Sequence, residues 1–393
     1  MKKLFLSLSL LFALACGAHA QVSKYDIRIA TDVNKVSDDG LVWIDGKELP
    51  LESKICEETS TYYGRIPKDY MEKVSAGIQS MSDHATGQYL LFQTDSKRVS
   101  VKWEVEQKEE TDPFIPPQGM YGVDVYVRLP KDAWGSMRSL TGTGAWKFLK
   151  NGRLNQVISP VTNKPESWDQ TTVDVPGEGV RPVMIYLPTR GKLKWVEVGV
   201  EPNSVVKNWA HESGVMKPVV HYGTSIVHGG CASRPGLCYT NQAARFADVP
   251  YVNLGFSGQA LLETPMAEVM AKADASLYIV DPVWNADENV IRARCETFLK
   301  RLHQLRPNTP ILLCEGIVPQ AERFEPNVAI KEVYEKIMAE GGSLAKCLKY
   351  LPSDGLIAQD GESTHDYCHP NDWGSVTMGV GYAKKIIEIL NIR

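Results

Sequence analysis

The sequence predicts a two-part chain: a β-sandwich over residues 26–205, then over 210–393 an α/β fold whose parallel sheet lies between helices. Three observations carry that expectation. Apolar and polar residues alternate with period two through the first part, as they do in strands that bury one face. Beyond Pro202-Asn203 the rhythm changes to short apolar runs separated by stretches of helical spacing, the order that builds a parallel sheet with helices on both faces. Finally, 393 residues with 43% hydrophobic content are enough for two cores of ordinary size.

The first twenty residues read as a leader, to be removed before the chain folds. Lys2-Lys3 supply the positive end, Leu4 to Ala15 the apolar stretch, and Ala18-His19-Ala20 a small-x-small cleavage site before Gln21. The expected destination is a bacterial periplasm or the medium; lipoprotein processing at Cys16, after Ala13-Leu14-Ala15, is the alternative route. The apolar stretch is shorter than the roughly 20 residues that span a bilayer, and no later segment approaches that length.

In the first part, Val101, Trp103 and Val105 alternate with Lys102, Glu104 and Glu106. Val123, Val125, Val127 and Leu129 alternate likewise with Asp124, Tyr126 and Arg128, and Leu193 to Val200 continues the theme. Asn151-Gly152 and Pro116-Pro117 are turn signals between strands, and Lys68 to Gln79 alone reads as helical. Many short strands with few helices imply a sandwich of jelly-roll kind. In the second part, Val219-Val220, Leu277 to Val280 and Ile311 to Cys314 are candidate strands, with helices near 264–273, 289–305, 326–347 and 374–390.

Composition narrows the function. A net charge of −4 with no basic run gives no electrostatic case for nucleic acid. Eight cysteines become seven if Cys16 leaves with the leader, an odd count that argues against a disulfide framework. No C-x-x-C and no His cluster at metal-ligand spacing occurs, so neither metal nor cofactor is expected. Nothing in the sequence points to an oligomeric state.

The chemistry sits in four short segments. Val219-Val220-His221-Tyr222-Gly223 leads to Thr224-Ser225, and near the C-terminus the chain reads Asp366-Tyr367-Cys368-His369-Pro370. A serine hydroxyl is a poor nucleophile until an imidazole takes its proton, and the imidazole needs a carboxylate to fix its tautomer. Asp and His three residues apart can supply that pair locally. Between these ends come Asn253-Leu254-Gly255-Phe256-Ser257-Gly258 and Asp281-Pro282-Val283-Trp284-Asn285, each after an apolar run. Ser225, Gly258 and Asn285 thus fall just past strand ends, where parallel sheets bind ligands. Each has a plainer reading: Ser225 or Asn285 as a helix N-cap, Gly258 as a turn residue.

A Ser, a Gly, an Asn and an Asp-x-x-His in this order resemble the SGNH (GDSL-like) hydrolase family, over roughly residues 217–390. The first segment departs from its pattern with Gly-Thr-Ser, and the third with Val283-Trp284-Asn285-Ala286. Gly-Gly-Cys-Ala-Ser-Arg-Pro-Gly at 229–236 is similar to a two-domain subgroup of these esterases, with an N-terminal β domain. The resemblance implies Ser225 as nucleophile, His369 as general base and Asp366 as its orienting carboxylate. It assigns the oxyanion hole to the N–H groups of Ser225 and Gly258 and the Asn285 amide, and a helix after Ser225 is expected to add its positive end. His365 is a nearby decoy and Gly255 a turn glycine. Asp281 reads as a supporting carboxylate or a turn residue, and Arg234 and Trp284 as substrate contacts or structure. The implied function is a secreted serine esterase removing O-acyl groups, O-acetyl first, from carbohydrate through an acyl-enzyme. Its partner would be a small-molecule or polysaccharide ester. Acyl transfer, lipid acyl hydrolysis and non-catalytic carbohydrate binding are the alternatives.

Overall fold

A computed structural model describes residues 36–106, 114–130, 140–154, 168–318 and 323–392. The leader at 1–20 and the Cys16 alternative lie outside these residues. Ten strands come first: β1 Val42–Asp45, β2 Leu51–Glu52, β3 Tyr89–Thr94, β4 Arg98–Glu106, β5 Val123–Leu129, β6 Ala145–Gly152, β7 Trp168–Asp174, β8 Arg181–Tyr186, β9 Lys192–Val200 and β10 Val206–Asn208. Among the described residues the α-helices between them are the short α1 Ala76–Met81 and α2 Pro117–Met120. The pairing is antiparallel throughout. One sheet runs β1-β9-β4-β7, the other β10-β3-β8-β5-β6 with β2 beside β3.

The sandwich core explains the period-two rhythm. Val99, Val101, Trp103 and Val105 from one sheet meet Val123, Val125, Val127, Val183 and Ile185 from the other, all fully buried. Strand β5, however, is buried on both faces, because Asp124 and Tyr126 are covered too. Their cover is the second part of the chain, so alternation in β5 separates two kinds of burial and not inside from outside.

Two turn signals resolve differently in the structure. Asn151 and Gly152 close β6; a Cβ on Gly152 would come within 2.6 Å of the Trp103 ring, so the residue is small for packing. Pro117 opens α2, where its missing N–H costs nothing and its φ is already helical. Of the helix expected over 68–79, a 3₁₀ turn at Lys68–Tyr70 and α1 form.

The second part alternates strand and helix: β11 Val219–Gly223, α3 Tyr239–Ala247, β12 Tyr251–Gly255, α4 Thr264–Met270, β13 Leu277–Asp281, α5 Glu288–Leu305, β14 Ile311–Cys314, α6 Glu325–Glu340, α7 Gly342–Cys347, β15 Leu348–Leu351 and α8 Asp372–Leu390. The helical pattern over 326–347 is broken at Gly341 and Gly342, both at positive φ. The five strands are parallel in the order β12-β11-β13-β14-β15. β11 to β14 are buried on both faces, which gives them their apolar runs, whereas β15 at the edge exposes Lys349. Val220, Tyr222, Val252, Val280 and Leu313 face α4, α5 and α6. Val219, Tyr251, Ile279 and Leu312 face α3 and α8. The result is a three-layer α/β/α fold.

Two features join the halves. Ile55, Ile66, Val74 and Ile78 pack in the same cluster as Phe256, Leu262 and Met266. The buried Arg128 donates to Asp248 at 3.3 Å across the seam. There His211 and the Ser213 N–H also bond Asp248, and these partners with Arg128 outweigh burial to hold its carboxyl below the usual range.

Candidate active site

Strand order reverses at β11, which has β12 on one side and β13 on the other. Such a switch point opens a crevice at the carboxyl ends of the strands. Register places Gly223 level with both Gly255 and Asp281. Ser225, Gly258 and Asn285 follow two, three and four residues past these levelled ends, so three segments far apart in sequence converge by topology alone.

The Ser225 hydroxyl lies 2.7 Å from His369 Nε2, and His369 Nδ1 lies 2.8 Å from Asp366 Oδ2. Asp366 is held in turn by its own loop. Its Oδ1 accepts from the His369 N–H at 2.7 Å and the Cys368 N–H at 3.1 Å, an Asx-type closure. Partial burial pushes the Asp366 carboxyl up, but these N–H groups and the His369 imidazole outweigh it and keep the group below its ordinary value. A carboxylate bonded to Nδ1 leaves Nε2 of the neutral ring free to accept the Ser225 proton.

The N-cap reading of Ser225 fails on local structure. Residues 225–230 form turns, closed by Gly230 N–H to the Ser225 carbonyl at 2.8 Å and His228 N–H to the Thr224 carbonyl at 2.9 Å. No helix follows Ser225 directly; a 3₁₀ turn at Pro235–Leu237 and then α3 come later. The expected contribution of a helix end is therefore absent. Asn285 is not an N-cap either, because Asp287 caps α5 by accepting from the Val290 N–H at 2.8 Å.

The Asn285 amide is oriented instead. Its Oδ1 accepts from the Ala260 N–H at 3.1 Å, which turns Nδ2 away from that anchor. Gly258 occupies the third position of a turn closed by Gln259 N–H to the Phe256 carbonyl at 3.0 Å. It has φ +72°, where glycine is at ease and other residues are strained. A Cβ there would meet nothing within 4 Å, so the position is open in front. Among the described residues, no protein acceptor takes the N–H of Ser225, the N–H of Gly258 or the Asn285 amide hydrogens.

Gly255 makes a close approach and not a turn. It ends β12, and a Cβ would fall 2.2 Å from the His228 nitrogen. His365 only donates its backbone N–H to the His369 carbonyl at 3.0 Å, its ring lying 6.3 Å from Phe114. Asp281 is buried behind the sheet, where Tyr382 and Tyr239 donate to it at 2.8 and 3.1 Å. Trp284 is structural: its indole N–H reaches the Ile317 carbonyl at 2.8 Å and its ring packs on Phe324 at 4.7 Å. The thiols of Cys238 and Cys368 are pushed up to about 12 by burial, which leaves them unreactive.

Arg234 is likewise committed. It donates to Asp124 Oδ2 at 2.8 Å and to the Tyr126 hydroxyl at 2.6 Å, while Gly236 N–H meets the same carboxylate at 2.7 Å. Asp124 and Tyr126 thus grip the Arg234-Pro235-Gly236 corner that continues the Ser225 loop. Sequence reading passed over this pair as the polar half of an alternation; two neighbouring polar positions on a strand otherwise rich in Val were the available signal. A second unforeseen feature is a set of exposed rings on or near the His369 loop, Phe114 standing 6.3 Å from His365. Phe114, Tyr367 and Trp373 are 46, 59 and 53% exposed, and Tyr367 holds φ +63° between Asp366 and His369.

Known proteins resemble both parts of the chain. Residues 216–389 match the model of the GDSL-like lipase/acylhydrolase family, and residues 41–206 match that of the N-terminus of SGNH hydrolase-type esterases. The latter is named for a G-x-D-L-Y motif, which here reads Gly122-Val123-Asp124-Val125-Tyr126. No curated protein matches significantly. A Bacteroides ovatus protein named as a GDSL-like lipase is 26% identical, with TM-score 0.73 over 90% of this chain and 99% of that one. A salicylyl-acyltransferase from a tetracycline biosynthetic pathway aligns at 17% identity and TM-score 0.68, over 91% and 100%. An acetyl xylan esterase from the rumen bacterium Butyrivibrio proteoclasticus aligns at 10% and 0.52, over 89% and 100%. The last two likenesses speak to the fold alone. The two models together account for nearly all of the described chain, and it belongs to the GDSL-like (SGNH) lipase/acylhydrolase family of serine hydrolases that act on ester bonds, in its two-part form.

Proposed function

We propose that the protein is an exported serine esterase that removes O-acyl groups, O-acetyl in the first instance, from carbohydrate. The observation that carries the reading is the unbroken hydrogen-bonded run from Ser225 through His369 to Asp366. Ser225 Oγ attacks the ester carbonyl as its proton passes to His369 Nε2. The tetrahedral oxyanion is met by the Ser225 and Gly258 N–H groups and the Asn285 amide, donors that need no rearrangement at the moment of reaction. Collapse breaks the C–O bond to the sugar, whose oxygen leaves with the proton from His369. Water then gives a proton to His369 as it attacks the acyl-serine, the acyl–Oγ bond breaks, Ser225 Oγ takes the proton back from His369, and the free acid leaves. Asp366 keeps the imidazole in the right tautomer and stabilises it when charged.

Two features favour carbohydrate. Exposed rings lie on and near the loop of His369: Tyr367 is within it, Phe114 stands 6.3 Å from His365, and Trp373 follows four residues after His369; aromatic faces suit the apolar faces of pyranoses. The leader-like residues 1–20 would take the protein to where polysaccharide is met. The test is acetate release from acetylated plant oligosaccharides by residues 21–393, beside Ser225→Ala. Release by the wild type alone is expected. Equal release by the variant would overturn the serine mechanism; activity confined to simple aryl acetates would overturn the carbohydrate assignment.

A further inference from the structure

Arg65 belongs to the first half of the chain but lies 1% exposed against the loop that carries Gly258. Its guanidinium makes no ion pair among the described residues. Its N–H groups go to neutral acceptors: Nε to the His84 carbonyl at 2.8 Å, Nη2 to the Met81 carbonyl at 3.1 Å, and Nη1 to the Gly255 carbonyl at 2.7 Å and that of Asn253 at 3.5 Å. The remaining Nη2 hydrogen faces His228 Nε2 at 3.4 Å, and the group stacks on Phe256 at 4.3 Å. A buried cation without a carboxylate is costly, and removing its partners leaves it uncompensated. Carbonyls satisfy the donors without cancelling the charge.

The same contacts link a chain of side chains. His228 Nε2 faces the Arg65 donor, and His228 Nδ1 lies 3.1 Å from Ser257 Oγ and 3.4 Å from the Ser257 N–H. His228 thus bridges Arg65 to the residue just before Gly258. His228 follows Ser225 by three residues, and its ring also approaches His84 at 3.3 Å. Burial, with Arg190, Arg65 and His84 adding to it, holds His228 neutral, as this arrangement requires. One arginine therefore grips the strand end at Gly255 directly and Ser257, inside the turn that follows, through His228.

We propose that Arg65 is a positioning residue for the oxyanion hole, fixing the 255–258 turn so that the Gly258 N–H meets developing negative charge. This rests on the esterase reading above. An uncancelled positive charge behind the turn also favours an anion in front of it. The first half of the chain then takes part in the transition state without touching substrate.

The test compares wild type, Arg65→Gln, Arg65→Lys, Ser257→Ala and Ser225→Ala on an aryl acetate. It reads kcat and KM separately, thermal melting, and inhibition by a small boronic acid, whose serine adduct mimics the oxyanion. For folded Arg65→Gln we expect kcat to fall about 10- to 100-fold with KM within about twofold, and boronate affinity to weaken in step. Arg65→Lys keeps the charge but not the fork, and should lose less. Ser257→Ala removes no buried charge and should lower kcat about 3- to 10-fold at an unchanged melting temperature, which keeps the test alive if Arg65→Gln does not fold. Wild-type kcat and boronate affinity in Ser257→Ala and in every folded Arg65 variant would overturn the proposal. So would losses in kcat that leave boronate affinity untouched. A wild-type rate in Ser225→Ala would instead sink the underlying esterase reading.

Discussion

Asn285→Ala is the sharpest single perturbation of the proposed mechanism. Among the described residues the side chain makes one hydrogen bond, accepting from the Ala260 N–H at 3.1 Å, and no acceptor there takes its amide hydrogens. Losing a neutral hydrogen bond costs about 0.5–1.5 kcal/mol. Losing an oxyanion donor costs about 2.7–4 kcal/mol of transition-state stabilisation. The second effect dominates and acts only when the carbonyl becomes tetrahedral. The expectation is a kcat about 10²- to 10³-fold lower with KM nearly unchanged. Steady-state hydrolysis of an aryl acetate reads both constants. Asn285→Asp sharpens the result: it keeps an acceptor for Ala260 but puts a negative charge where the donor stood. It should be at least as inactive as Asn285→Ala. A kcat within about threefold of wild type in the alanine variant, roughly 0.65 kcal/mol, would refute the donor role. Recovery in the aspartate variant would reassign Asn285 to anchoring Ala260.

Three other expectations separate roles that sequence places side by side. His369→Ala should reduce kcat almost as far as Ser225→Ala, whereas His365→Ala should leave it within about threefold; the reverse pattern would move the base. Asp366 carries a folded pKa below its unfolded value of about 3.9, so the stability it adds is present above that value and is lost as pH falls through the lower, folded one. Acid-unfolding curves of Asp366→Asn and wild type should therefore differ near neutrality, begin to approach each other near pH 3.9 and meet only below the lower, folded value. Tyr367→Ala and Trp373→Ala should raise KM for acetylated oligosaccharide several-fold while sparing an aryl acetate; equal effects on both substrates would mark the rings as structural.

How much of this was legible in the sequence follows from the range of the interactions involved. The second half was readable because its strands β11 to β14 are buried on both faces; β15 went unread because Lys349 interrupts its apolar residues. The three site segments of that half then had to meet at strand ends. The Asp366–His369 pair was readable because three residues suffice to form it. Arg65 was not, because every group it bonds beyond residue 84 lies more than 160 positions away, and a lone Arg among Gly64 and Ile66 has no period to betray it. The turn signal at Asn151-Gly152 misled for the same reason. The distant Trp103 ring sets the size of Gly152, and the Asn151 amide is spent on Asp124 at 2.8 Å. The helix over 239–247 also escaped notice, since its Thr, Asn and Gln are buried and mask the apolar stripe.

The grip of Asp124 and Tyr126 on Arg234 and Gly236 bears on how such a protein can change over time. A buried carboxylate and a partly buried guanidinium from opposite halves are not replaced one at a time: losing Arg234 strands the buried Asp124, at about 3–5 kcal/mol, a large fraction of what keeps an ordinary domain folded. Grafting a foreign N-terminal half onto residues 210–393 would therefore succeed only with donors that bring their own Asp and Tyr at the matching strand positions. The two halves are tied as co-inherited parts, and a chimera library sorted for folding should retain that pair in every survivor.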